Sequence, residues 1–185
     1  MIQTSEILTL EEFLASPQGD GRYELIDGVA IAKMSPKRFH SRTQRACLHR
    51  LEDWGQERGE IGLEWSIRLK RQGRDWVPVP DLLFVSHKRL PPHPLGDEAC
   101  PIPPDLAIEI VSPGQTFGDL AEKAADYLAA GVLRVWVVDP SARSITVFAP
   151  NAVPITYRGN RVLSDPLLPD LEFTPQEIFA QAGLP

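Results

Sequence analysis

Hydrophobic and polar positions fall along this chain in blocks that can be read as elements. TLEEFLAS, residues 9–16, starts with Thr9 and has Glu12 three places later, the spacing of a capping box, and predicts a short helix. RYELI and VAIAKM are two strands joined by Asp27-Gly28, a dipeptide suited to a hairpin turn. From about 39 to 58 a long helix is expected. His40 starts its inward stripe, and Thr43, Cys47, Leu51 and Trp54 continue it at i, i+4, i+8 and i+11. Arg42, Arg45 and His49 line a different, solvent-facing side. Strands are expected near 61–70 and over 77–86, linked by the polar turn RQGRD. Residues 87–104 are rich in proline, contain His87 and His93, and read as a surface loop.

The apolar run DLAIEIVS, residues 105–112, has prolines on both sides and reads as a buried central strand. Ser112-Pro113-Gly114 breaks it, and Thr116 caps a helix running to about residue 130, where Gly131 stops it. Phe117, Leu120, Ala121, Ala124 and Leu128 are the expected buried face of that helix. LRVWVVD and SITVFAP follow as strands, and the tail holds a short strand pair and a last helix from Thr174. No internal repeat, low-complexity tract or inter-domain linker interrupts this order. The expectation is therefore one domain over 1–185, with a core of about 8–150 and a C-terminal strand pair and helix over 151–185. Its class is α/β (mixed α+β), a mixed β-sheet flanked by helices.

Two acids contradict the apolar pattern. In a strand, side chains alternate faces. Leu106, Ile108 and Ile110 share one face of 105–112, while Glu109 shares the other with Ala107 and Val111. In VPVPDLLFVS, Asp81 alternates onto the same face as Val79, Leu83 and Val85. Burying an unpaired carboxylate costs several kcal/mol, so each acid needs a partner. One acid on each of two interior strands is a pattern that a divalent cation satisfies. Sequential strands usually neighbour each other, which lets the two acids converge. Glu24, between Tyr23 and Leu25, is a third candidate. A hard cation such as Mg²⁺, or Mn²⁺ in its place, takes one or two carboxylates and leaves room for phosphate oxygens, which suits phosphodiester hydrolysis.

Composition refines this picture. A chain of 185 residues with 43% hydrophobic content is enough for one real core. The net charge of -6 argues weakly against nucleic acid, but the distribution is uneven. Residues 33–74 contain eleven Lys or Arg against five Asp or Glu, with no acid between Lys33 and Arg50. Such a zone is either a phosphate-binding surface, with Lys37, Arg38, Arg42, Arg45 and Arg71 as candidate contacts, or a solvated helix face. Cys47 and Cys100 are too few for a disulfide framework. The first twenty residues carry Glu6, Glu11 and Glu12 and no long apolar run, so neither a signal peptide nor a membrane span is expected, and the cytoplasm is the expected location.

The segments YELIDG, VPDLLFV, PDLAIEIVSPGQT, EKAADYLAAGV and VWVVDP, in this order, resemble the Uma-type restriction endonucleases of the PD-(D/E)XK nuclease superfamily. The similarity covers roughly residues 8–150. It implies a restriction-endonuclease-like core, Mg²⁺-dependent cutting of DNA, no organic cofactor, and often a homodimer, because two sites must address two strands. By this resemblance Asp81 is the metal-binding Asp, Glu109 the second acid, the Ile110 carbonyl a further ligand, and Glu24 the acid of the early strand. The superfamily's lysine lies two residues after the second acid; here that position is Val111. Lys123, early in the following helix with Tyr127 one turn on, is the substitute that would orient or activate the attacking water, and Gln115 is a weaker one.

Each assignment has a plainer rival. Glu109 pairs with Lys123 or an arginine as a structural ion pair. Asp81 caps a turn after Pro80. Glu24 is solvated in an edge hairpin, Lys123 is an ordinary helix-flank lysine, His40 is a polar residue at a helix start, and Cys47 is inert packing. The four tryptophans are core or partner-packing residues, and Trp65 or Trp76 exposed on a strand edge fits an interface. At the level of the whole chain, the alternatives to a nuclease are an inactive nuclease fold that binds DNA or protein, and a metal-dependent hydrolase of small phosphoesters.

Overall fold

The structure, a computed structural model, describes residues 7–91 and 96–184. His93 of the predicted loop lies outside the described residues. The chain runs α1 (Leu10–Ala15), a short 3-10 turn, β1 (Tyr23–Ile26), β2 (Val29–Ala32), α2 (Arg38–Gly55), β3 (Gly59–Leu63), β4 (Leu69–Arg71) and β5 (Arg74–Val77). It continues through β6 (Leu82–Ser86), β7 (Leu106–Ile110), α3 (Phe117–Ala129), β8 (Arg134–Asp139), β9 (Ser144–Phe148), β10 (Ile155–Arg158), β11 (Leu163–Asp165), β12 (Leu168–Phe173) and α4 (Pro175–Gln181).

The main sheet has six strands in the order β10-β9-β8-β7-β6-β3. β7 and β8 are parallel and the other pairs antiparallel. The parallel pair requires a crossover, and α3 supplies it. One face of the sheet packs Leu82, Phe84, Leu106, Ile108 and Ile110 against α2 (Ala46, Cys47, Leu51) and α4 (Ile178, Phe179). The other face packs Leu83, Val85, Ala107, Val135 and Val137 against α3 and a second sheet, through Leu120, Ala124, Tyr127, Leu69 and Trp76. That second sheet has four strands in the order β2-β1-β5-β4. The alternation read from residues 105–112 is thus realised, and Glu109 lies on the face that α3 covers.

Local signals act where expected. Capping boxes Thr9–Glu12 and Thr174–Glu177 start α1 and α4, and Thr116–Asp119 starts α3. Asp27 and Gly28 have φ of 52° and 80°, the backbone that a two-residue hairpin turn requires.

Several expectations are corrected. Residues 77–86 do not form one strand: β5 ends at Val77, β6 begins at Leu82, and the two belong to different sheets. Pro78 and Pro80 have no amide hydrogen for a ladder, so the run breaks there and Asp81 sits just before β6. The stretch 61–70 divides likewise between β3 and β4. Residues 87–104 are not simply a surface loop, because Leu90, Ala99 and Cys100 are buried and Cys100 bridges Ile67. On α3, Phe117 is exposed and Tyr127 takes its place in the buried stripe with Leu120 and Ala124. Trp76 is buried against Tyr127 and cannot serve an interface. Glu24 is buried rather than solvated.

Candidate active site

The antiparallel register of β6 and β7 pairs Leu82 with Ile108. Extending it by one residue sets Asp81 opposite Glu109, and opposed residues of an antiparallel pair share a face. Both acids are buried, and both line a cleft of about 360 Å³ between the end of the main sheet, α3 and the β1–β2 hairpin. Asp81 is held firmly. Its Oδ2 accepts the Ile110 amide at 2.7 Å and lies 3.1 Å from His40 Nε2. Gln44 Nε2 donates to the Asp81 carbonyl at 3.1 Å, and Lys33 Nζ stands 3.9 Å from Asp81 Oδ1.

Glu109 is held through Oε1, which accepts from the Tyr127 hydroxyl at 2.8 Å and from Lys123 Nζ at 2.9 Å. Lys123 also donates to Glu24 Oε1 at 2.7 Å, and the same oxygen accepts the Val79 amide at 2.9 Å. Glu24 therefore anchors the lysine from the hairpin side. Lys123 and Tyr127 are one helical turn apart, so α3 presents both to Glu109 from one face. Val111 provides only its amide, donated to the Val138 carbonyl, and packing against the core. Gln115 lines the cleft with its Oε1 accepting from the Ser112 amide at 3.2 Å.

Burial pushes Glu109 upward, Lys123 pulls it down, and the negative charges of Asp81 and Glu24 raise it again; the outcome is a carboxyl shifted from 4.5 to about 7. For Lys123, burial favours the neutral amine, but Glu109 and Glu24 outweigh it and hold the ammonium above its ordinary range. Burial, followed by the Glu109 charge, keeps the Tyr127 phenol protonated and able to donate.

The donor set fits a hard divalent cation. Protein donors occupy Asp81 Oδ2 and Glu109 Oε1, while Asp81 Oδ1 and Glu109 Oε2 carry no protein hydrogen bond among the described residues. No cluster of three His, Cys, Asp or Glu side chains suited to a metal exists among the described residues. Two acids with a main-chain carbonyl and water is nevertheless a composition Mg²⁺ accepts.

The other candidates are dispersed. Lys37 and Arg38 lie at the start of α2 and line a groove beside the cleft. Arg45 is exposed on α2, Arg42 is half-buried against Gly183, and Arg71 on β4 is paired with Asp126 at 2.8 Å. These three arginines are not among the cleft's lining residues. The sequence shows His40 only as a polar residue at a helix start, and it does not mark Lys33, Gln44 or the Tyr127–Glu109 bond. A signal existed for two of them: His40 is a polar head on an otherwise inward stripe, and Tyr127 continues the Leu120–Ala124 stripe at helical spacing.

A mixed sheet flanked by helices, with Asp81 just before β6, Glu109 on β7 and Lys123 on the crossover helix, is a restriction-endonuclease-like arrangement. The family model Uma2, described as "Putative restriction endonuclease", matches residues 10–176, and the chain belongs to that family. Its fold is similar to that of a solved structure described as "a putative nuclease belonging to DUF820", from Anabaena variabilis ATCC 29413. That similarity has a TM-score of 0.81 at 25% identity, covering 95% of this chain and 99% of the other. A comparison with curated proteins returned no match. No helix among the described residues is long and apolar enough to cross a membrane.

Proposed function

We propose that this chain is a metal-dependent endonuclease that hydrolyses DNA phosphodiester bonds, with Mg²⁺ as its metal and Mn²⁺ as a substitute. The observation that carries this reading is Lys123 Nζ, 2.9 Å from Glu109 Oε1. It supplies beside the second acid the ammonium that Val111 lacks. Asp81, Glu109 and the Ile110 carbonyl would hold the cation, which when bound polarises the phosphate and neutralises developing charge. The Ile110 amide and His40 fix the Asp81 carboxylate, and Tyr127 fixes that of Glu109. Glu24 keeps Lys123 at the cleft, where its ammonium orients the attacking water. Lys33 at the cleft and Lys37 and Arg38 at the groove beside it contact phosphates without reading sequence. A homodimer provides the second site that a double-strand cut needs.

One observation favours a second reading, an inactive nuclease fold that binds DNA or protein: Lys123 is shared between two carboxylates as a nearly closed ion-pair group. Lys123→Ala separates the two. The nuclease reading expects cleavage to fall about 100-fold or more, the usual scale for a positioned proton-transfer or charge-stabilising group, with DNA retention on a gel intact. Retention without metal-dependent products in the unmodified protein supports the second reading. A Lys123→Ala variant that cuts at the unmodified rate removes Lys123 from the chemistry.

A further inference from the structure

Next to the acidic cleft, and sharing His40, Ser112 and Gln115 with it, lies a groove of about 410 Å³. Two aromatic rings from different elements line it: Phe39 of α2, 44% exposed, and Phe117 of α3, 40% exposed. Apolar side chains exposed together beside a polar site suit a binding groove better than singly scattered ones do. Phe117 has a buried neighbour, Phe148, at 6.4 Å between ring centroids, which steadies it. The Arg38 guanidinium carbon lies 6.0 Å from the centre of the Phe39 ring.

The same groove is cationic at its rim. Lys37 and Arg38 are exposed there, at the N-terminus of the 18-residue helix α2. That terminus has no side-chain cap, whereas α1, α3 and α4 are each closed by a capping box. Its first-turn amides and the helix dipole therefore remain available to an anion. Asp139 also lines the groove and keeps its negative charge, held at the groove wall by Oδ1 accepting the Ser141 and Ala142 amides at 2.8 and 2.9 Å, while Lys37 and Arg38 give the groove the larger number of cations.

Exposed rings combined with cations and free helix amides suit a nucleotide whose base is unstacked. A paired base inside a duplex offers no free π-face, whereas any unpaired base does. We propose that this groove is a nucleobase-stacking subsite, which takes an unpaired nucleotide of a DNA strand whose adjoining phosphate enters the Asp81–Glu109 cleft. It rests on the nuclease reading for the second half of that statement, and it makes single-stranded or locally opened DNA the preferred substrate class.

The test is binding in chelator, where no metal chemistry intervenes. Fluorescence anisotropy compares a labelled oligothymidylate with a duplex of the same length, at one fixed low salt concentration. The unmodified protein should prefer the single strand. Phe39→Ala and Phe117→Ala should each weaken single-strand binding about five-fold or more, the lower end of the loss for removing one stacking ring, with little change for duplex. Phe39→Tyr and Phe117→Tyr retain a ring and should retain affinity, which separates stacking from any loss of fold. Equal binding of the two DNAs, or alanine variants that bind the single strand as tightly as the unmodified protein, overturns the subsite. So does a dimer that dissociates on Phe39→Ala with DNA binding unchanged, which would make the groove a contact between copies of the chain. Cleavage measured on the same samples is independent of these outcomes. A protein that cuts DNA with no preference for single strands loses the subsite and keeps the nuclease; one that shows ring-dependent single-strand binding and never cuts keeps the subsite and loses the nuclease.

Discussion

Glu109 stores a pH dependence that can be worked out from its surroundings. Burial and the neighbouring acids raise its carboxyl from 4.5 to about 7 despite Lys123. The gap corresponds to about 3 kcal/mol of cost for ionising Glu109 in the folded protein. Because the folded value lies above the unfolded one, the stabilisation is fully present below about pH 4.5 and is lost as pH rises through about 7. Glu109→Gln is permanently neutral and keeps a similar shape. In metal-free buffer it should therefore match the unmodified protein near about pH 4.5 and exceed it by up to about 3 kcal/mol above about pH 8. Urea unfolding of both proteins across this range measures the difference, and effects common to both cancel. On the proposed metal site, divalent metal should reverse the order at high pH, since it would bind the carboxylate and not the amide, and the metal concentration needed should rise as pH falls below about 7. A Glu109→Gln variant that is less stable than the unmodified protein at high pH, or a gap that does not change with pH, rules out a costly Glu109 charge. Glu109 would then be a net-favourable partner of Lys123.

Other consequences are checked more briefly. Asp81→Ala deprives the Ile110 amide and His40 of their buried acceptor and should cost about 1–3 kcal/mol in a thermal or urea melt. Asp81→Asn keeps an acceptor, so it should largely retain the fold while losing metal-dependent stabilisation. The Cys47 thiol, pushed to about 12 by burial and then by the Asp81 charge, should react with a thiol reagent only after unfolding. Gly131 ends α3 at φ of 98°, with Pro103 Cγ 3.3 Å from the place of a Cβ, so Gly131→Ala should destabilise by about 1 kcal/mol or more, read from the urea midpoint.

The parts of the fold legible in the sequence were those fixed by local chemistry. Thr9–Glu12, Thr116–Asp119 and Thr174–Glu177 start helices by hydrogen bonds within four residues, and Asp27-Gly28 sets its own turn. Period-two alternation sufficed to put Glu109 on the opposite face from Ile108 and Ile110. Partition between two sheets was less legible, because β5 and β6 are both apolar and only Pro78 and Pro80 mark the change of partner. In the site, the acids stood out because a carboxylate in an apolar strand is costly. Lys123 emerged from the family resemblance and not from spacing, since a lysine on a helix flank is ordinary. His40 and Tyr127 were hidden for the opposite reason: their positions fitted a helix stripe, and only long-range packing across 41 and 18 residues shows what they bond.

A metal-dependent cut made by the Asp81–Glu109 pair is tested directly by purified protein on supercoiled plasmid with Mg²⁺, with Mn²⁺ and with chelator, beside Glu109→Ala. Nicked or linear products are expected in either metal, none in chelator and none from Glu109→Ala. Plasmid left intact in both metals by protein that still shifts it on a gel, or cut equally by Glu109→Ala, rules that cut out.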